Sequence, residues 1–233
     1  MPSLILLPGL ACDATVWRDQ RPVLAAHGPV VVTDVHERFA SLPEMAAALL
    51  AEHPGDLLLC GTSMGGMLAL EVVRQAPQRV KALALLATSA RPDTPEMIRL
   101  RSDAIVLFEQ GRADEVLRAN VAFAFHPRVA EDSELATTYL AFVMGGGAQR
   151  LVRQNRAVMA RADARPWLAA IRCPTLVVCG DGDLLTPPEH SREIAAAIPG
   201  ARLAIVPQCG HMLTLEQPAQ INTLLLEWLA GLA

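Results

Sequence analysis

Leu57-Leu58-Leu59-Cys60-Gly61-Thr62-Ser63-Met64-Gly65-Gly66-Met67 is the stretch that decides how the chain is read. Its first four residues are apolar without alternation, the pattern of a strand buried on both faces, as in a parallel sheet covered by helices. Met64 to Gln75 has the length of a helix. Between them stands Gly61-x-Ser63-x-Gly65. A serine there sits on a tight strand-to-helix turn, and small residues two before and two after it let the chains approach closely. The helix N-terminus beneath favours developing negative charge. A bare Gly-x-Ser-x-Gly is a common match whose bland reading is a helix-capping serine. Its position between a buried strand and a helix makes Ser63 a candidate nucleophile.

The same rhythm runs outward from this turn. Leu4–Leu7 ends in Pro8-Gly9, Val30–Val32 ends near Asp34, and Ala82–Leu86 ends in Ala87-Thr88-Ser89. Thr15–Ala26 and Pro43–His53 are each long enough for a helix between strands. From about Arg91 to Arg165 no strand run occurs, and apolar residues recur at helical spacing, as in Ile98, Ile105, Val106 and Phe108. Turn signals at Gly111, His126-Pro127 and Gly145-Gly146-Gly147 divide this region into about four helices. The α/β pattern then resumes with a strand at Thr175–Cys179, a helix at Pro188–Ile198, a strand at Ala201–Val206 and an amphipathic helix at Pro218–Leu229. Residues 1–90 and 166–233 thus form one α/β core, and 91–165 an inserted helical lid.

A length of 233 residues with 52% apolar and 19% charged residues suits one compact domain. A net charge of −4 gives no electrostatic case for a nucleic-acid partner. Arg150, Arg153 and Arg156 are expected to form a solvated stripe on a helix. The apolar start lacks a basic flank and is too short to span a bilayer, so neither a membrane partner nor an export signal is expected. The five cysteines, without a Cys-x-x-Cys pair, read as reduced apolar residues and point to the cytoplasm. No residue cluster has metal spacing, and no cofactor is expected.

A serine hydroxyl needs a base to remove its proton. Of six histidines, His27 and His53 read as helix ends, His36 as part of a polar loop and His190 as the start of a helix, while His126 lies in the lid, where a surface turn is favoured over a contact with substrate. Only His211 directly follows a buried strand, through Cys209-Gly210, at the sheet edge where Ser63 lies and where open parallel sheets bind ligands. The base needs a carboxylate to hold its tautomer. Both Asp181 and Asp183 follow the strand Thr175–Cys179, and residue physics leaves the choice between them open. For an oxyanion hole, the backbone N–H groups of Met64 and of Leu10, after the turn at Gly9, are the candidates.

With these residues assembled, the chain resembles the compact, lidded α/β-hydrolases, a group of carboxylesterases, enol-lactonases, pimeloyl-ester hydrolases and carbon–carbon hydrolases. The likeness rests on Leu6-Leu7-Pro8-Gly9-Leu10, Gly61-Thr62-Ser63-Met64-Gly65-Gly66-Met67, Gly180-Asp181-Gly182-Asp183 with Thr186-Pro187, and Gly210-His211-Met212 with Glu216 and Pro218. The resemblance implies a sheet of about six parallel strands flanked by helices, with the lid after the fourth strand, and it selects Asp183 over Asp181. It implies cleavage of a small ester, lactone or thioester through an acyl-enzyme by Ser63, His211 and Asp183, in a monomer or homodimer. Carbon–carbon cleavage or peracid formation by the same three residues is the alternative, and a non-catalytic binding member a more distant one. Many relatives carry His-Gly where this chain has Pro8-Gly9. The lid's Phe108, Phe123, Phe125, Tyr139, Phe142 and Met144 are expected partly to line a hydrophobic pocket and partly to pack the lid.

Overall fold

The computed structural model describes residues 2–130 and 134–232. Strands β1 (Ser3–Leu7), β2 (Val30–Val32), β3 (Leu57–Thr62), β4 (Val80–Leu86), β5 (Thr175–Gly180) and β6 (Arg202–Val206) form a single sheet in the order β2-β1-β3-β4-β5-β6. Every pairing is parallel, in agreement with the expected all-parallel sheet of six. The near-absence of polar residues in these strands follows from burial on both faces. Leu4, Leu6 and Cys60 join one apolar layer, which also holds Leu225 and Trp228 of the C-terminal helix. Ile5, Leu7 and Leu59 join the other, which holds Met45, Leu49, Leu68 and Val72.

The helices that matter for the site are α1 (Leu42–Glu52), α2 (Met64–Gln75), α3 (Pro95–Glu109), α4 (Ala113–Ala124), α5 (Glu134–Gly145), α6 (Gly147–Met159), α7 (Pro188–Ala197) and α8 (Pro218–Ala230). Helices α3 to α6 lie between β4 and β5 and correspond to the expected helical insertion. Its two ends meet at a neck, where Ala164 N–H donates to Ala90 C=O at 2.8 Å and the buried Asp93 pairs with Arg161 at 2.7 Å and Arg101 at 2.8 Å. Phe125 meets Tyr139, and Tyr139 meets Phe142, edge to face. These three and Phe108 are buried, while Phe123 and Met144 are exposed.

The expected helix over Thr15–Ala26 is not continuous. A short turn of helix at Ala14–Trp17 is followed by a separate one at Arg21–Ala25. Pro22 has no N–H to donate and fits only the first turn of a helix, so the chain restarts there.

The order in which strands are added reverses at β1: β2 lies on one side of it and β3 on the other, with all strands still parallel. A crevice opens at such a switch point, outside the carboxyl ends of the strands. The loops entering it are Pro8–Cys12 after β1 and the turn at Ser63 after β3. Close approach there requires glycine. A side-chain carbon on Gly65 would lie 2.0 Å from Leu7 O, and one on Gly61 would lie 2.3 Å from Gly65 O. Both neighbours are backbone and cannot swing aside. Gly65→Ala is therefore expected to lose about 3 kcal/mol of stability or more in urea denaturation; a loss under about 1 kcal/mol would contradict the packing described.

Candidate active site

Ser63 lies between β3 and α2 with φ 53° and ψ −118°, a region that residues with side chains seldom adopt. The strained turn is held from below. Ser63 N–H donates to Leu86 C=O at 2.9 Å, and Thr88 Oγ1 donates to Ser63 C=O at 2.6 Å. The side chain is partly exposed. Met64, the next residue, opens α2, so its N–H is among those a helix leaves without an internal acceptor. Over the serine arches the turn Gly9–Cys12, closed by Cys12 N–H to Gly9 C=O at 3.2 Å. A side-chain carbon on Gly9 would come within 3.3 Å of Ser63 Cβ. Gly9 thus stands at the serine, one residue before Leu10, whose N–H the sequence offers as the second oxyanion donor.

His211 follows β6 and Asp183 follows β5. Because all strands are parallel, both loops lie on the same edge as Ser63. His211 Nδ1 is 2.9 Å from Asp183 Oδ2 and 3.0 Å from Oδ1, with both side chains almost fully buried. Asp183 Oδ1 also accepts from Leu185 N–H at 2.9 Å and Thr186 N–H at 2.8 Å, and Thr186 Oγ1 donates to Oδ2 at 2.8 Å. Burial works to raise the Asp183 carboxyl, but the adjacent His211 and these hydrogen bonds hold it below the usual carboxylate range. Asp181, the rival from the sequence, instead accepts from Cys209 N–H at 3.2 Å and ties the two loops together. Its carboxylate is exposed and is not the one at His211.

Several residues to which the sequence assigned no role support the site. Glu216, nearly buried, accepts from Gly210 N–H at 3.0 Å and His126 N–H at 3.0 Å, joining the His211 loop to the end of α4. Burial pushes its carboxyl up despite those bonds. His126 is accordingly not a free surface turn: its ring packs on Gly182, where a side-chain carbon would lie 2.6 Å from Cδ2. Arg150 departs furthest from expectation. It is buried rather than part of a solvated stripe, pairs with Glu37 at 2.9 Å and donates to Ala11 C=O at 2.9 Å. A buried guanidinium is tolerable because a carboxylate and carbonyls surround it. Of the expected stripe only Arg156 is well exposed, paired with Glu109.

His36, read as part of a polar loop, is 1% exposed, on a short helix at Val35–Arg38. Its Nε2 is 2.8 Å from Cys12 C=O. Burial lowers its pKa, with Arg150 acting the same way and Cys12 C=O, Glu37 and Asp34 opposing. The unfolded chain therefore takes up a proton at higher pH than the folded one, and stability present above about pH 6.5 falls as pH drops through the lowered value. His36→Gln, whose amide can still donate to Cys12 C=O, is expected to flatten the fall in Tm between about pH 7 and pH 5. A residual slope should remain from His190, which burial and Arg91 also hold down. Equal slopes in both proteins would refute the assignment.

A cavity of about 260 Å³ opens elsewhere, lined by Met67, Glu71, Arg74, Arg161 and Trp167 among others, and reaches none of Ser63, Asp183 or His211. Among the described residues no group of three or more His, Cys, Asp or Glu is placed to hold a metal ion, and no helix is long and apolar enough to cross a membrane.

Fold and site together define a class, an open parallel α/β sheet with a strained serine turn at its switch point and an aspartate–histidine pair on the same edge. A family model for the alpha/beta hydrolase fold matches residues 2–218, and the chain belongs to that family. It is 30% identical over 98% of its length to a provisionally assigned carbamate hydrolase, RutD, of Serratia proteamaculans (strain 568), covering 91% of that protein. It is 29% identical to the pimeloyl-[acyl-carrier protein] methyl ester esterase of Aromatoleum aromaticum, over 99% of both chains. A thermophilic esterase from Thermogutta terrifontis superposes with a TM-score of 0.91 at 24% identity, over 100% of this chain and 90% of its own, a likeness of fold.

Proposed function

We propose that the chain is a serine hydrolase that cleaves a small, hydrophobic carboxylic ester, or a lactone or thioester, through an acyl-enzyme. The observation that carries this reading is the strained serine at the switch point together with the buried His211–Asp183 pair on the same sheet edge. Ser63 Oγ attacks the carbonyl carbon while His211 Nε2 takes its proton. Asp183 keeps the other proton on Nδ1 and stabilises the imidazolium. The carbonyl oxygen becomes an oxyanion between the N–H groups of Leu10 and Met64. His211 then gives its proton to the leaving alkoxide, and a water activated by the same base releases the acid and restores Ser63.

The helical insertion acts as the lid over this edge and bears the substrate preference. Of its aromatic residues, Phe108, Phe125, Tyr139 and Phe142 pack it onto the core. Two curated relatives are named for different bonds, a methyl ester and a carbamate. Nitrophenyl esters of graded length and a nitrophenyl carbamate should therefore be compared, with the esters turned over faster. The decisive experiment is labelling with a fluorophosphonate followed by peptide mass spectrometry. The adduct is expected on Ser63; a folded protein left unlabelled there would sink the reading in favour of a non-catalytic binding protein.

A further inference from the structure

The turn carrying Leu10 is built from residues that do not favour it. Ala11 has φ +63°, in the left-handed region that suits glycine. Within Gly9–Cys12 the bonds run between Cys12 and Gly9, through Cys12 N–H to Gly9 C=O and between the Cys12 thiol and the Gly9 backbone, and neither holds Ala11. The backbone groups that follow Leu10 are instead held by side chains from far away. Ala11 N–H donates to Gln154 Oε1 at 2.8 Å. Ala11 C=O accepts from Arg150 Nη2 at 2.9 Å, and Cys12 C=O meets His36 Nε2 at 2.8 Å. The holders are themselves fixed, Gln154 Nε2 donating to His36 C=O at 3.0 Å and Arg150 Nη1 to Glu37 at 2.9 Å.

Arg150 and Gln154 stand four residues apart on one face of α6, the last long helix of the insertion. Gln154 is 0% exposed and Arg150 7%. The chain makes room for this arrangement, because a side-chain carbon on Gly146 would lie 1.6 Å from Arg150 Nε. A glutamine and an arginine at such depth, each bonded to the same alanine, form a clamp and not incidental packing.

We propose that Gln154 and Arg150 are positioning residues for the oxyanion hole, holding Ala11 in its left-handed conformation so that the preceding N–H of Leu10 points at the reacting carbonyl. The inference rests on the serine-hydrolase reading above. It makes the hole a joint product of the core and the insertion: with α6 docked, the turn is held for catalysis, and with α6 displaced, the turn loses both partners of Ala11. A hydrogen-bond donor acts on the transition state only when aimed at where the oxyanion forms, so a loosened turn lowers turnover more than substrate binding.

The test compares wild type, Gln154→Met and Asn155→Ala. Methionine keeps the volume of glutamine and removes both polar groups. Asn155 is a neighbouring buried polar residue on the same helix, bonded to Arg101 and Leu151 and not to the turn. For each protein, kcat and KM are measured on nitrophenyl acetate, with Ki for a small alkylboronic acid, which forms a tetrahedral adduct on an active serine. Gln154→Met is expected to lower kcat about tenfold or more, leave KM within about threefold, and raise the boronate Ki by about the factor lost in kcat/KM. Asn155→Ala should lower Tm yet leave kcat and Ki within about twofold. If Gln154→Met keeps kcat and Ki within about twofold, or if Asn155→Ala shows the same losses, the proposal is wrong. Should Gln154→Met not fold, Arg150→Lys carries the same readout, since lysine keeps a charge for Glu37 on a single nitrogen and lacks the planar fork whose other nitrogen reaches Ala11 C=O; wild-type kcat and Ki would overturn the proposal. Fluorophosphonate labelling of wild-type Ser63 separates the two levels: an unlabelled wild type refutes the reading of the site, whereas a labelled wild type with unaffected variants refutes only the clamp.

Discussion

Ser63→Ala is expected to lower kcat on nitrophenyl esters by at least about 10⁴-fold and to abolish fluorophosphonate labelling, with folding intact. No buried cysteine is suited to replace the hydroxyl. Cys12, Cys60, Cys179 and Cys209 are buried, and burial raises each thiol's pKa, leaving them protonated and poor nucleophiles. The backbone adds a second, separable expectation. At φ 53° and ψ −118° serine and alanine bear the same strain, whereas glycine adopts this conformation readily. Ser63→Gly should therefore be more stable than Ser63→Ala by about 1 kcal/mol in urea denaturation, while equally inactive. Equal stability would mean that the turn is not strained. Residual activity in Ser63→Ala above about one per cent would mean that the nucleophile lies elsewhere.

Asp183→Asn is expected to lower kcat by about 10³- to 10⁴-fold, and Asp181→Asn by no more than a few-fold. The hydrogen bonds around Asp183 explain the difference. Leu185 N–H and Thr186 N–H both point at Oδ1, so the carbonyl of an asparagine would take that side. Its amide NH₂ would then replace Oδ2, the nearer of the two oxygens now facing His211 Nδ1, at 2.9 Å against 3.0 Å for Oδ1. Two donors cannot meet there, so the imidazole would move its proton to Nε2 and lose the lone pair needed for Ser63. The Thr186 hydroxyl can turn to accept, and Tm should change little. Asp181 holds backbone groups of Gln208, Cys209 and Gly182 in an exposed setting, so its loss should loosen the loop without altering the tautomer. A larger loss of activity in Asp181→Asn than in Asp183→Asn would overturn the assignment. Because Asp183 sits below the ordinary carboxylate range, its contribution to stability is present above that range and is lost as pH falls through the lowered value.

Much of the architecture was legible because its signals are local. The unbroken apolar run Leu57–Cys60, the small residues around Ser63 and the return of helical spacing after Arg91 each lie within a few residues of the element they specify. The six parallel strands follow from such runs. The error over Thr15–Ala26 was also local, since Pro22 stands inside the apolar pattern and its missing N–H outweighs the periodicity. Arg150, His36 and Gln154 failed to stand out for a different reason. An arginine among arginines on a helix looks solvated whether its partner is water or Glu37, 113 residues away.

By itself the sequence determined the strands, the serine turn and the strand ends bearing the two aspartates and His211, because backbone conformation and burial pattern are written in neighbouring residues. Only the tertiary structure decided which polar groups meet. It placed His211 on Asp183 and left Asp181 to Cys209 N–H, and it joined Gln154 to Ala11 across 143 residues. Two aspartates two positions apart have the same local chemistry, and a buried hydrogen bond is specified by the packing of distant elements that shield it from water.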